Sequence, residues 1–324
     1  MSPVIYHMNY LQALVIGLIQ GLTELFPISS LGHTVLIPSW LGGNWATLVR
    51  QENLSESPYL AFVVGLHLAT AVVLLGFYWR DWVRLIKAIV SSIVRRRVST
   101  TDERLAWLIV IATIPVGLLG LGLEHLFRTL FAKPLAAAIF LTANGLILFA
   151  AERYRRRPAV REQAAPPLYR GASEPARGRA AGAVEVDIDE RVARDEALSR
   201  IGGWNAFWIG AAQSLALLAG ISREGVAMAG GLFRGLTRED ALRFAFMLST
   251  PVIFAAGALK IGDLTGPLGA GIRGQVIVGS LAAAATSLFA VVFLSRYFKT
   301  RTLYPFAVYC LLAGGISVIR FGLF

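Results

Sequence analysis

Cysteine is almost missing from this chain: Cys310 is the only one in 324 residues. A single thiol excludes an internal disulfide and any metal cage built from cysteines. Charge is scarce as well, at 16% of residues against 56% hydrophobic, a balance too apolar for an ordinary soluble domain. The short apolar and polar alternation of an outer-membrane barrel is absent; the apolar runs instead approach the roughly 20 residues that a membrane-crossing helix needs. The opening stretch MSPVIYHMNYLQALVIG carries neither a basic leader nor a small-residue cleavage motif, so it is expected to be retained rather than removed as a signal peptide. Acidic residues are outnumbered, 20 against 31 Lys and Arg. That excess alone would suit a nucleic-acid partner, but the arginines crowd beside apolar segments, where membrane topology explains them. No nucleic-acid partner is expected.

What is present is a set of long apolar segments, so the fold class expected is an all-α polytopic membrane protein. Six segments are expected to span, near residues 58–79, 105–123, 134–151, 240–259, 274–295 and 303–322. Two further stretches, 9–40 and 204–233, are apolar but broken in the middle by FPISSLG and AGISREG. The part after each break is about ten residues, or roughly 15 Å of helix, half of a hydrocarbon core of about 30 Å. Each is therefore expected to be a re-entrant helical hairpin, its broken backbone buried in protein or lining a wet cavity. The two breaks also resemble each other. Laying 16–32 over 209–225 matches Ile16 with Ile209, Gly17 with Gly210, Gln20 with Gln213, Ser29 with Ser222 and Gly32 with Gly225.

Three spanning segments follow each copy, so the expected unit is one hairpin plus three helices, twice. The first repeat occupies 1–152, a linker 153–203 and the second repeat 204–324. Arginine-rich stretches at 78–104 and 152–158 are separated by two spans and share a side, the cytoplasm by the positive-inside rule. The first hairpin then enters from outside, and the second, preceding the basic FRGLTRED, from inside. Inverted repeats with broken helices place a site where their tips meet near the midplane. The linker, rich in Arg, Ala, Pro and Gly, is expected to be largely disordered, with a short amphipathic helix at 187–200. Residues 80–97 read either as a helix lying on the inner leaflet or as a plain basic loop.

The chemistry sits at the breaks. Glu24 follows Gln20 by four residues, so the two share a helical face with Thr23 adjacent. Ionisable groups at such depth are costly and usually mark a site. Ser29 and Ser30 follow Pro27 at a helix start, a place for caps and also for anions. His33, one turn on, is expected to share a face with Ser30 and relay its proton. His7, His67 and His125 lack such neighbours, and His67 is expected to pack or to support the site from behind. Arg223 brings the opposite charge, its planar fork suited to phosphate oxygens, with Ser222 beside it. An anion cradle with acid-base groups suits phosphoryl transfer. A carboxylate near a phosphate repels it, so a divalent cation is expected between them.

The stretch QGLTELFPISSLGH resembles the (E/Q)xxxE and PxSSxGH signature of the bacterial undecaprenyl-diphosphatase family, also called bacitracin-resistance proteins. ISREG with the helix at 231–257 is similar to that family's second motif. The resemblance implies removal of the terminal phosphate of the C55 isoprenoid carrier diphosphate, a multi-pass place in the bacterial inner membrane and a site open to the outer face. On this reading Glu24, Ser30, His33 and Arg223 are catalytic, and Gln20, Thr23, Ser29, Ser222 and Arg223 bind substrate. Glu24 and Gln20 hold Mg2+ or Ca2+. The partners implied are the isoprenoid diphosphate lipid and the bilayer, and a homodimer is compatible with this reading. Two positions depart from the family's pattern: Ala219 replaces proline and Glu224 replaces serine, leaving Glu224 to bind the cation, pair with Arg223 or point away. The alternative function is a transporter or flippase of an isoprenoid phosphate lipid using the same anion site. The KxxxxxxRP pattern of other membrane lipid phosphatases is absent.

Overall fold

The computed structural model describes residues 8–52, 58–131, 133–157, 195–259, 261–266 and 271–323. Most of the expected linker disorder and of the helix at 187–200 falls at 158–194, outside the described residues, as does His7; of the expected helix, 195–199 is helical. Among the described residues every regular element is a helix. Five helices are long and apolar enough to cross a membrane, or six if a bent pair is one span, so the chain is a multi-pass membrane protein.

The first hairpin stretch forms α1 (Tyr10–Leu25) and α2 (Ser30–Leu41). A short helix α3 (Gly43–Glu52) follows, for which the apolar pattern gave no sign. Then come α4 (Pro58–Phe77) and α5 (Trp79–Arg95), whose axes differ by 81° across Tyr78. Residues 79–95 are thus helical rather than a plain loop. The next helices are α6 (Thr101–Phe131), running well past its expected end, and α7 (Pro134–Arg155). The second broken stretch forms α8 (Gly203–Gln213), a 3-10 turn at Ser214–Leu217, and α9 (Arg223–Phe233). The chain closes with α10 (Arg238–Leu259), a short α11 (Ile261–Thr265), α12 (Arg273–Tyr297) and α13 (Tyr304–Leu323).

Packing follows glycine. α1 lies along α12, where a Cβ on Gly17 or Gly21 would strike the backbone of Gly279 or Ala283. In the same way α8 lies along α6, Gly210 facing the backbone of Ala112. α7 pairs with α13 and α4 with α10, and the two halves share one core that runs from Leu25 through Phe244 and Phe246 to Cys310. At one end, ion pairs tie the elements together. Arg84 and Arg243 both reach Asp195, at 2.6 and 2.8 Å, and both reach Asp81, at 3.1 and 2.8 Å. Glu152 of α7 binds Arg238 of α10 and accepts from Leu303 N at 3.1 Å. That end therefore gathers the end of α7, the starts of α6, α10 and α13, and the residues just before α8. At the other end α1 starts beside α12, with Gln275 Nε2 donating to Met8 O at 3.1 Å.

Candidate functional site

The first break is a proline effect. Phe26 is extended, as a residue before proline is pushed to be, and Pro27 cannot donate the next helical bond. Ser29 then sits at φ 71, a conformation that ordinary side chains avoid. It is held there because its hydroxyl accepts twice, from Gly32 N at 3.2 Å and from Gly220 N of the second break at 3.2 Å. The second break turns at Gly220, φ 114, and Ser222 caps α9 by accepting from Gly225 N at 3.1 Å. A Cβ on Gly32 would lie 2.8 Å from Gly220 Cα, so the two tips touch. Asn144 of α7 joins them: its Oδ1 accepts from Ser222 N at 3.0 Å and its Nδ2 donates to Pro27 O at 2.9 Å.

Glu24, 5% exposed, is the hub. Its Oε2 accepts the Ser30 hydroxyl in a short hydrogen bond and lies 3.5 Å from Gln20 Nε2. His67 Nε2 stands 3.2 Å from the same oxygen. Arg223 Nη1 faces Oε1 at 3.9 Å, within ion-pair range but beyond a hydrogen bond. Its Nε and Nη1 are buried and make no hydrogen bond, so the guanidinium points an unspent fork at the tip of the first hairpin. Gln20 Oε1 is reached by Thr70 Oγ1 at 3.4 Å, and Thr70 is paired with Ser287 at 3.0 Å. Four of the expected residues, Gln20, Glu24, Ser30 and Arg223, thus meet around one carboxylate.

The others are placed differently. His33 Nδ1 is 2.7 Å from Ser29 O and Nε2 is 2.7 Å from Tyr309 OH, so both ring nitrogens are engaged away from Ser30. The hydroxyl of Thr23 donates to Ile19 O within its own helix, and Ser29 and Ser222 spend theirs shaping the tips. Glu224 is 2% exposed, so it does not point away to solvent, and among the described residues no ion pair joins it to Arg223. Its Oε1 has no hydrogen-bond partner. His67 is a correction: expected to lie behind the site, it touches Glu24 directly. Asn144, Thr70, Ser287 and Tyr309 were not singled out in the sequence, though a lone asparagine in the apolar run of α7 was the available signal.

The chain as a whole is similar to known proteins. The sequence profile described as "Bacitracin resistance protein BacA" matches residues 13–316. The chain is 52% identical to Undecaprenyl-diphosphatase 2 of Frankia alni, covering 98% of this chain and 99% of that protein. It is also 52% identical to Undecaprenyl-diphosphatase of Mycolicibacterium paratuberculosis, over 97% of each. At greater distance, it is 37% identical to Undecaprenyl-diphosphatase 2 of Chromobacterium violaceum over 96% of this chain and 99% of that protein.

Proposed function

The chain belongs to the bacitracin resistance protein BacA family, and from that premise and the geometry of the tips we propose that it removes the terminal phosphate of undecaprenyl diphosphate. The products are undecaprenyl phosphate and inorganic phosphate, which returns the lipid carrier to cell-wall synthesis. The observation that carries this reading is the Ser30 hydroxyl hydrogen-bonded to Glu24 while the open fork of Arg223 faces the same carboxylate. Glu24 is placed to take a proton from Ser30, and Arg223 to hold the oxygens of the phosphoryl group under attack. If Ser30 is the nucleophile, its Oγ bonds to the terminal phosphorus, Glu24 receives the proton, and the bridging oxygen leaves on the prenyl phosphate. Water then frees phosphate from the serine. If water attacks directly, Glu24 takes the water's proton and Ser30 orients it. Ser29 and Ser222, whose hydroxyls fix the two tips by accepting from backbone N–H groups, shape the anion's seat, and His33 with Tyr309 holds the start of α2 in place.

Glu24 and Gln20 are the residues that would hold a divalent cation, Mg2+ or Ca2+. The Glu24 carboxylate fits such ions, which take oxygen donors; the Gln20 carboxamide would join it with its oxygen turned from Thr70 toward Glu24, the reverse of the orientation observed. Among the described residues no group of three or more His, Cys, Asp or Glu forms a cage, so the protein would supply only part of the ligands of such an ion. The chemistry it would supply there is neutralisation of charge on the diphosphate.

The architecture that supports this reading is an inverted repeat of one re-entrant hairpin and three spans. α2 and α9, at 12 and 11 residues, reach only about 18 Å, too short to cross. α1 and α8 start at opposite ends, and their pairings with α12 and α6 are what a two-fold exchange of the halves would give. The end tied by Arg84, Arg238 and Arg243 is assigned to the cytoplasm, with the site opening to the outer face of the bacterial inner membrane. The test is phosphate release from farnesyl or C55 diphosphate by the purified protein in detergent. Detergent abolishes the two compartments, so a flippase scores nothing; absence of release would end the phosphatase reading.

A further inference from the structure

One face of α12 opens into a groove of about 750 Å3, away from the cluster around Glu24. Phe289, Phe293 and Tyr297 recur every four residues and so form a column along it, with neighbouring ring centroids 5.7 and 5.5 Å apart. The groove ends at Arg296, Thr300 and Arg301, all exposed. This is the end where Leu303 N, just beyond, meets Glu152. The two arginines stand apart from those that close this end. Arg84, Arg238 and Arg243 are held by carboxylates, whereas among the described residues Arg296 and Arg301 have no acidic partner. The C-terminus of α12 attracts cations through its own dipole, but that alone does not account for a concave apolar groove leading to them.

We propose that this groove holds one anionic phospholipid of the inner leaflet, its phosphate on Arg296 and Arg301 and one acyl chain along the aromatic column. The length fits. From Ala285 at the far end of the lining to Arg296, α12 rises about 16 Å, half of a hydrocarbon core of about 30 Å, so the groove is one leaflet deep. A glycerophospholipid sets its phosphate at headgroup level with a chain of that depth beneath it, whereas a C55 prenyl chain would overrun the groove. Arginine forks suit phosphate oxygens, and Thr300 adds a hydroxyl at the same mouth. Basic pockets on the cytoplasmic side of membrane spans are where anionic headgroups bind. The site rests on the assignment of this end to the cytoplasm and not on the phosphatase reading. Phe293 also stacks on Phe26 at 5.8 Å, so a chain in the groove lies against the ring column that supports the first break.

The experiment is native mass spectrometry of the full chain, delipidated in detergent and titrated with phosphatidylglycerol or with zwitterionic phosphatidylcholine. The first phosphatidylglycerol is expected to be held about tenfold or more tightly than phosphatidylcholine, and that preference to vanish in Arg296→Gln/Arg301→Gln, because each arginine near an anionic headgroup contributes a several-fold factor. Arg80→Gln/Lys87→Gln removes the same charge from α5 and is expected to keep the preference. Equal retention of the two lipids by the wild type overturns the proposal, and so does a preference that survives the loss of both groove arginines. A preference lost equally in the α5 variant overturns it too, since surface charge would then suffice. Displacement of phosphatidylglycerol by an equal concentration of farnesyl phosphate would give the groove to a prenyl phosphate instead, and a dimer that retains no lipid would give it to a second copy of the chain.

Discussion

Four groups converge on Glu24, and substitutions there separate charge from shape. Glu24→Gln keeps the volume and one acceptor oxygen but removes the base, so turnover should fall by about 10²–10⁴-fold with the protein still monodisperse in detergent. Near wild-type phosphate release would remove Glu24 from the reaction. Ser30→Ala distinguishes the nucleophiles, since substantial residual turnover is expected only if water attacks directly, and a trapped phosphoserine at Ser30 only if it does not. Arg223 allows a finer cut because its Nε and Nη1 make no hydrogen bond within the protein, only a long ion pair to Glu24. Lysine replaces its charge but not its fork, so Arg223→Lys should lose turnover as well as apparent affinity. Kinetics close to wild type for Arg223→Lys would reduce the arginine to a point charge, and the same for Arg223→Ala would take the second hairpin out of the site.

At the scale of elements, the breaks were legible and their neighbours were not. Pro27 fixed where α1 had to stop, and Gly220 of AGISREG where the second broken stretch had to turn, because a missing N–H and a turn glycine act on their own backbone. The ends of α10, α12 and α13 came within two residues of expectation for a related reason, since each is set by local apolar length. His67 and Asn144 were misjudged or missed because their meaning lies in contacts across 43 and 78 positions of the chain, to Glu24 and Ser222. Periodicity carries no record of such contacts. α3 is short and mostly polar, and so gave no spanning signal. Asn144 offers a direct test of how far element packing controls chemistry. Asn144→Leu fits the apolar helix but leaves Ser222 N and Pro27 O without their partner, at a cost of about 1–3 kcal/mol for each buried group left unsatisfied. Thermal unfolding in detergent should shift downward, and phosphate release should drop although the residue touches no substrate. Unchanged turnover with a lowered midpoint would mean that the tips keep their register without it.

For the whole molecule the decisive quantity is the side on which each end lies. The basic residues that close one end belong to α5, α10 and the segments around them, and they are bound to Asp81, Asp195 and Glu152 rather than left as free surface charge. The positive-inside rule weighs Lys and Arg near span ends regardless of acidic partners, so this end is assigned to the cytoplasm despite its paired charge. Cys310 is fully buried and is the only thiol, which makes Cys310→Ser a clean background for single-cysteine labelling. Arg97→Cys lies in the exposed turn after α5, at the basic end, and Asn44→Cys at the exposed start of α3, just past the first hairpin. A membrane-impermeant maleimide should label the second in intact cells and the first only after the membrane is opened. If the hairpins enter from opposite faces, a third cysteine at Gly202, immediately before α8 and near Asp195, must behave like the one at Arg97. Labelling of positions 44 and 202 from the same side would place both hairpin entries on one face, and the inverted repeat, with the meeting of its tips at mid-depth, would no longer stand.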